Sequence, residues 1–114
     1  LALALAQETK TLLLDEPTTF LDVHYQLQFF DLLKRLKKDQ KLSIITVIHD
    51  VNLAARYCDR IAVLKNGELI ALDEPHNVLN RELMHKAFQV ETCQIETPIG
   101  LQICTIKSSK NKNV

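Results

Sequence analysis

The sequence predicts an α/β fold in which parallel strands are joined by a crossover helix and followed by short antiparallel pairs. Three observations carry this. Leu12-Leu13-Leu14 is a short apolar run that stops at Asp15-Glu16-Pro17, and Ser43–Ile48 is a β-branched, continuously apolar run; both read as buried strands. Between them lies a long segment with apolar residues at helical spacing, and strand, helix and strand of this kind close as a right-handed parallel βαβ unit. Further on, Asn66-Gly67 separates two apolar stretches and is the strongest short hairpin signal.

Taken in order, Leu1-Ala-Leu-Ala-Leu-Ala6-Gln7 has the small residues of a cleavage site but no basic segment before them, so it is not read as a leader. Leu and Ala are strong helix formers, and residues 1–8 are expected to be the tail of a helix cut by the start of the chain. The chain begins with Leu, not Met, so a fragment boundary is expected there. Thr11–Asp15 is the first strand. Pro17, Thr18 and Thr19 make the loop over residues 16–22, and Asp22 is a good N-cap. Tyr25, Phe29, Leu32, Leu33 and Leu36 then define one apolar helix face, with Tyr25 and Phe29 in the core and the helix ending near Lys38.

Ser43–Ile48 is expected to be buried on both faces. Asp50 or Asn52 caps a short helix through Tyr57, Ile61–Leu64 is a strand, and Glu68–Leu72 returns antiparallel to it. Glu74–Leu79 reads as one helical turn with Pro75 at its first position, and Asn80 caps a helix through Phe88. Val90–Glu96 and Leu101–Ile106 form a terminal hairpin, across which Cys93 and Cys104 could face each other. The lysine-bearing end, residues 107–114, reads as a frayed tail.

Composition narrows the function. Of 114 residues, 46% are hydrophobic and 25% charged, and 14 basic residues balance 14 acidic ones. That neutrality gives no general case for a nucleic-acid or anionic-membrane partner. The three cysteines, Cys58, Cys93 and Cys104, have neither disulfide-framework nor zinc spacing, and no apolar run approaches the roughly 20 residues of a membrane span. Two carboxylates at the carboxyl tip of a buried strand, where open α/β sheets bind ligands, point to a metal and an activated water. His49-Asp50 ends the second parallel strand at the same edge. His24, His76 and His85 fit no motif and read as surface or packing residues, and Arg56 and Arg60 as solvated or salt-bridged rather than phosphate-binding.

Leu12-Leu13-Leu14-Asp15-Glu16-Pro17 resembles the Walker B motif of ATP-binding cassette (ABC) ATPases. Thr18-Thr19-Phe20-Leu21-Asp22 resembles their D-loop, Ile48-His49-Asp50 stands where the family has its switch histidine, and Arg60-Ile-Ala-Val-Leu-Lys-Asn-Gly67-Glu68 resembles the hairpin that follows. The resemblance implies a partial P-loop NTPase (RecA-like) core over 1–80, carrying these motifs, then a helix and hairpin extension over 81–106. It implies that Asp15 holds Mg²⁺ of Mg-ATP, that Glu16 orients the attacking water, that His49 contacts the γ-phosphate, and that Asp22 lies at a dimer interface. The segments Glu16–Asp22 and His49–Ala55, with the ending Leu83–Thr105, are most similar to importers of iron–siderophore, haem or cobalamin complexes. Membrane permease subunits, a second ATPase subunit and, indirectly, a substrate-binding protein are the partners this implies, with no nucleic acid, at the cytoplasmic face of the membrane.

The phosphate cradle G-x-x-x-x-G-K-[ST] is absent from these 114 residues, whose two glycines, Gly67 and Gly100, lie in other settings. The glutamine loop and glycine-rich signature are absent too. The resemblance is therefore to the C-terminal half of the domain. In the family the strand before the phosphate loop lies between those equivalent to Ser43–Ile48 and Ile61–Leu64, so both are expected to show unpaired edges. The chain alone is expected neither to bind ATP tightly nor to hydrolyse it. The alternatives are a non-catalytic truncated interaction module, the ATPase of another importer class, or a non-transport ABC ATPase of DNA repair or translation; neutral charge and the ending count against the last.

Overall fold

The computed structural model describes residues 3–6 and 10–108, in two compact units, Leu1–His49 and Asp50–Val114. The first holds β1 (Leu3–Ala6), β2 (Thr11–Asp15), α1 (Val23–Gln40) and β3 (Ser43–Val47), with strand order β1-β2-β3. β2 and β3 are parallel and in register, Leu12 beside Ile44 and Asp15 beside Val47, with α1 as the crossover. This is the βαβ unit that the two apolar runs predict.

Leu3–Ala6 corrects one expectation. It is a strand antiparallel to β2, not a helix tail, while residues 1, 2, 7 and 8 lie outside the described residues. Alternating Leu and Ala suits a pleated edge as well as a helix, and the second edge of β2 offers a row of main-chain partners that outweighs the modest helix propensity.

α1 begins at Asp22, whose carboxylate accepts from the Tyr25 N–H at 3.2 Å, and ends at a left-handed Lys41. Its buried residues are Phe30 and Leu33, matching Leu12 and Leu14 on one face of the sheet. The stripe is rotated from the expected one. Tyr25 is 54% exposed and Leu32 44% exposed, while Phe29 is half-buried, its ring edge-on to Phe30. Gln26 explains the rotation, because its amide donates to the carbonyl of buried Thr18 at 3.1 Å and turns that side of the first turn inward. β3 likewise is not buried on both faces: Ile45 is 61% and Val47 48% exposed. Among the described residues it is a terminal strand with β2 as its single strand partner.

In the second unit, α2 (Val51–Tyr57) leads into β4 (Ile61–Lys65) and β5 (Glu68–Asp73), an antiparallel pair. Asn66 and Gly67 both have positive φ, 53° and 79°, as a two-residue turn matching strand twist requires. Among the described residues β4 has β5 as its one strand partner, in line with the expected unpaired edge. α3 (Pro75–Val78), α4 (Arg81–Phe88), β6 (Val90–Thr97) and β7 (Gly100–Ser108) complete the unit. Asn80 caps α4 through the Leu83 N–H at 2.8 Å. The core joins Val63 of β4, Val78, Leu79, Met84 of α4, and Leu101 and Ile103 of β7. β7 runs through Ser108, and the remainder of the expected tail lies outside the described residues. Arg56 lies over the Tyr57 ring, 5.2 Å from its centroid, and His76 contacts Glu96.

Candidate functional site

Register decides where the site residues fall. Because Asp15 pairs with Val47, β2 and β3 end at the same edge. Glu16 extends the ladder by one bond, its N–H donating to the Val47 carbonyl at 3.0 Å. Its φ of 45° then turns the backbone left-handed. For a residue with a Cβ this costs on the order of 1–2 kcal/mol, and such strain concentrates at functional sites.

His49 follows β3 by two residues, and its Nε2 meets Glu16 Oε1 directly. The His49 side chain is 81% exposed and that of Glu16 34%, so water screens the pair and its contribution to stability is about 0–1 kcal/mol. What the contact fixes is position: two side chains 33 residues apart in sequence meet through one parallel crossover. Thr19, which reads from sequence as turn material, is a further partner of Glu16. Its hydroxyl donates to the Glu16 carbonyl at 3.2 Å and lies 3.5 Å from Oε2. The signal was available in the Glu-Pro-Thr-Thr spacing, since a hydroxyl three residues on can close such a turn.

Asp15 is exposed at the last position of β2. No group of three or more His, Cys, Asp or Glu side chains that could hold a metal ion occurs among the described residues. A single open carboxylate fits Mg²⁺, which keeps several waters and takes phosphate oxygens, and does not fit a metal caged by protein. Asp22 is engaged elsewhere, as the cap of α1. The structure thus joins Glu16 to His49 and gives Asp22 a separate task. Gly67 lies in the β4–β5 turn and Gly100 opens β7 just after the second hairpin's turn, with φ of 79° and 108°.

No family model matches the chain. Its fold matches an inward-facing structure assigned to a metal-chelate-type ABC transporter, with a TM-score of 0.72 over 89% of this chain and 41% of that one, at 23% identity. The chain thus shares its fold with part of an ABC transporter. Among curated proteins, the petrobactin import ATP-binding protein FpuC of Bacillus anthracis is 48% identical over 80% of this chain and 34% of its own length. The iron(3+)-hydroxamate import ATP-binding protein FhuC of Bacillus subtilis is 42% identical over 86% of this chain and 36% of its own. The chain belongs to the ABC transporter ATP-binding proteins. It spans 34% to 42% of the length of the curated relatives it first matches.

Proposed function

We propose that this chain is the water-activating half of an ATPase subunit that drives import of an iron chelate or a related cofactor complex. The observation that carries the reading is the Glu16–His49 contact at the shared edge of two parallel strands. Glu16 accepts a proton from the attacking water and aims it, through an oxygen within about 3 Å. His49 holds that carboxylate at one oxygen and, through its two-nitrogen ring, relays the state of the γ-phosphate to it. Asp15 supplies the one protein carboxylate to Mg²⁺. When bound, that ion neutralises charge developing on the transferred phosphoryl group.

Asp22 and its neighbours face a second ATPase subunit. Support comes from the apolar surface beside the cap, where Phe20 is 100%, Val23 70% and Leu21 40% exposed. The iron-chelate cargo rests on the names of the two relatives. Permease subunits, a substrate-binding protein feeding them, and a peripheral seat on the cytoplasmic face complete the proposal. No helix of the described residues is long and apolar enough to cross a membrane. The division into a core over 1–80 and an extension over 81–106 belongs to the same reading.

The test is Glu16→Gln in a complete protein that joins this stretch to a phosphate loop and signature segment. ATP binding should persist while turnover falls about 100-fold or more. Turnover close to that of the parent rejects the role of Glu16. A second reading, a non-catalytic pairing module, is favoured by β3 and β4 each having one strand partner among the described residues. It predicts that the same substitution leaves ATP turnover unchanged.

A further inference from the structure

The β6–β7 hairpin sets two thiols opposite each other. Cys93 and Cys104 are direct register partners, and both are exposed. Strand alternation explains the exposure. Thr92 and Ile103, one residue before each, are 1% and 6% exposed and point inward, so the cysteines point to water.

A second observation identifies the kind of pair. The Asn52 amide occupies both main-chain groups of Ile103: Oδ1 accepts its N–H at 2.6 Å and Nδ2 donates to its carbonyl at 3.2 Å. Those groups therefore face away from β6, and Gln94–Ile103 is a non-hydrogen-bonded pair of the ladder. Cys93–Cys104, the next pair along, is then hydrogen-bonded, with Cα atoms about 5.5 Å apart. That lies inside the roughly 4.4–6.8 Å that disulfides span. Opposed Cβ atoms, at about 4.5–5.5 Å, sit slightly wide of the ideal of about 3.8 Å, and a disulfide closed under such strain is readily reduced. With no third ligand gathered among the described residues, the pair is not a metal centre.

We propose that Cys93 and Cys104 form a reversible disulfide, a redox-modification site on the outer face of the β6–β7 hairpin. The oxidant is a low-molecular-weight disulfide of the glutathione class. One cysteine thiolate attacks it, forming a mixed disulfide and expelling one glutathione thiolate. The second cysteine thiolate attacks the protein sulfur and expels the other. One protein S–S bond forms and one small-molecule S–S bond breaks. Two electrons and two protons leave the cysteines and appear on two glutathione thiols.

The test uses the full 114-residue chain with Cys58→Ser, equilibrated in glutathione buffers of graded ratio and quenched with acid. Intact mass should fall by two hydrogens. Cleavage after Glu96, between the two cysteines, should leave the fragments joined until reductant is added. The comparison adds Cys104→Ser and Thr105→Cys, which moves the second thiol by one residue to the opposite face with almost the same loop length. The native pair should close with an equilibrium constant at least about tenfold larger, equivalent to about 30 mV. Two separate glutathione adducts on the native pair, or equal closure by both variants, overturns the proposal.

Discussion

Replacing Asn52 by Ala tests whether one amide docks α2 on the hairpin. The side chain makes two hydrogen bonds to Ile103, at 2.6 and 3.2 Å, whose side chain is 6% exposed. Truncation removes both partners together, and an orphaned main-chain group costs about 1–3 kcal/mol where water cannot replace the partner. Asn52 is half-buried, so water reaches part of the gap and the lower half of that range applies to each group. The expected loss is about 2–4 kcal/mol. For a cooperative unit of this size that corresponds to a Tm lower by roughly 10–30 °C. Asn52→Asp is the sharper variant. It keeps the shape and can still accept the Ile103 N–H, but sets an oxygen against the Ile103 carbonyl. A carboxylate in the first turn of α2 recovers only about 0.3–1 kcal/mol from the helix dipole, so this variant should also be destabilised, by about 1–2 kcal/mol. Urea unfolding of the 114-residue chain, followed by far-ultraviolet circular dichroism at a common m-value, measures both. If both variants unfold within about 0.5 kcal/mol of the parent, the amide does not hold α2 to β7.

Two further substitutions probe local conformation through the same unfolding measurement. At Gly67, φ is +79° and an added Cβ meets nothing within 4 Å, so Gly67→Ala pays for backbone conformation alone, about 1 kcal/mol; an unchanged midpoint contradicts the assigned turn. Asp22→Ala should lose about 1 kcal/mol by removing the cap on the Tyr25 N–H, whereas Asp22→Asn should retain it; equal losses from both would assign the effect to charge and not to the cap.

Features encoded within a few residues were legible in the sequence. Asp50 caps α2, Asn80 caps α4, and Asn66-Gly67 turns β4 into β5, each because one side chain or one backbone conformation satisfies a local need. What escaped depends on partners distant in sequence. The run Tyr25–Leu36 contains two overlapping apolar stripes, and periodicity alone does not choose between them; the Gln26–Thr18 bond does. Ser43–Val47 has the composition of a strand covered on both faces, but exposure at Ile45 and Val47 follows from which neighbours the strand has. Leu3–Ala6 satisfies two propensities, and the edge of β2 selects one. At the site, the strand tips were legible. The Thr19 contacts had a local signal in the Glu-Pro-Thr-Thr spacing, but the left-handed Glu16 did not, because it arises from how the chain leaves the ladder.

The Glu16–His49 contact needs little of the rest of the molecule. Both residues lie in the first unit, and the elements that bring them together are β2, α1 and β3. Parallel pairing ends both strands at one edge, the Glu16 N–H bond to Val47 fixes where the turn begins, and the positive φ at Glu16 sets its direction. None of these steps uses a phosphate loop, so the arrangement of the pair is a property of the Thr11–His49 segment. Its energetic weight is also small, since a screened pair contributes about 0–1 kcal/mol against on the order of 1–2 kcal/mol for the left-handed backbone. A contact worth no more than the strain beside it adds nothing net to stability. The same balance lets the carboxylate exchange the imidazole for another partner at little cost, as the role proposed for Glu16 requires.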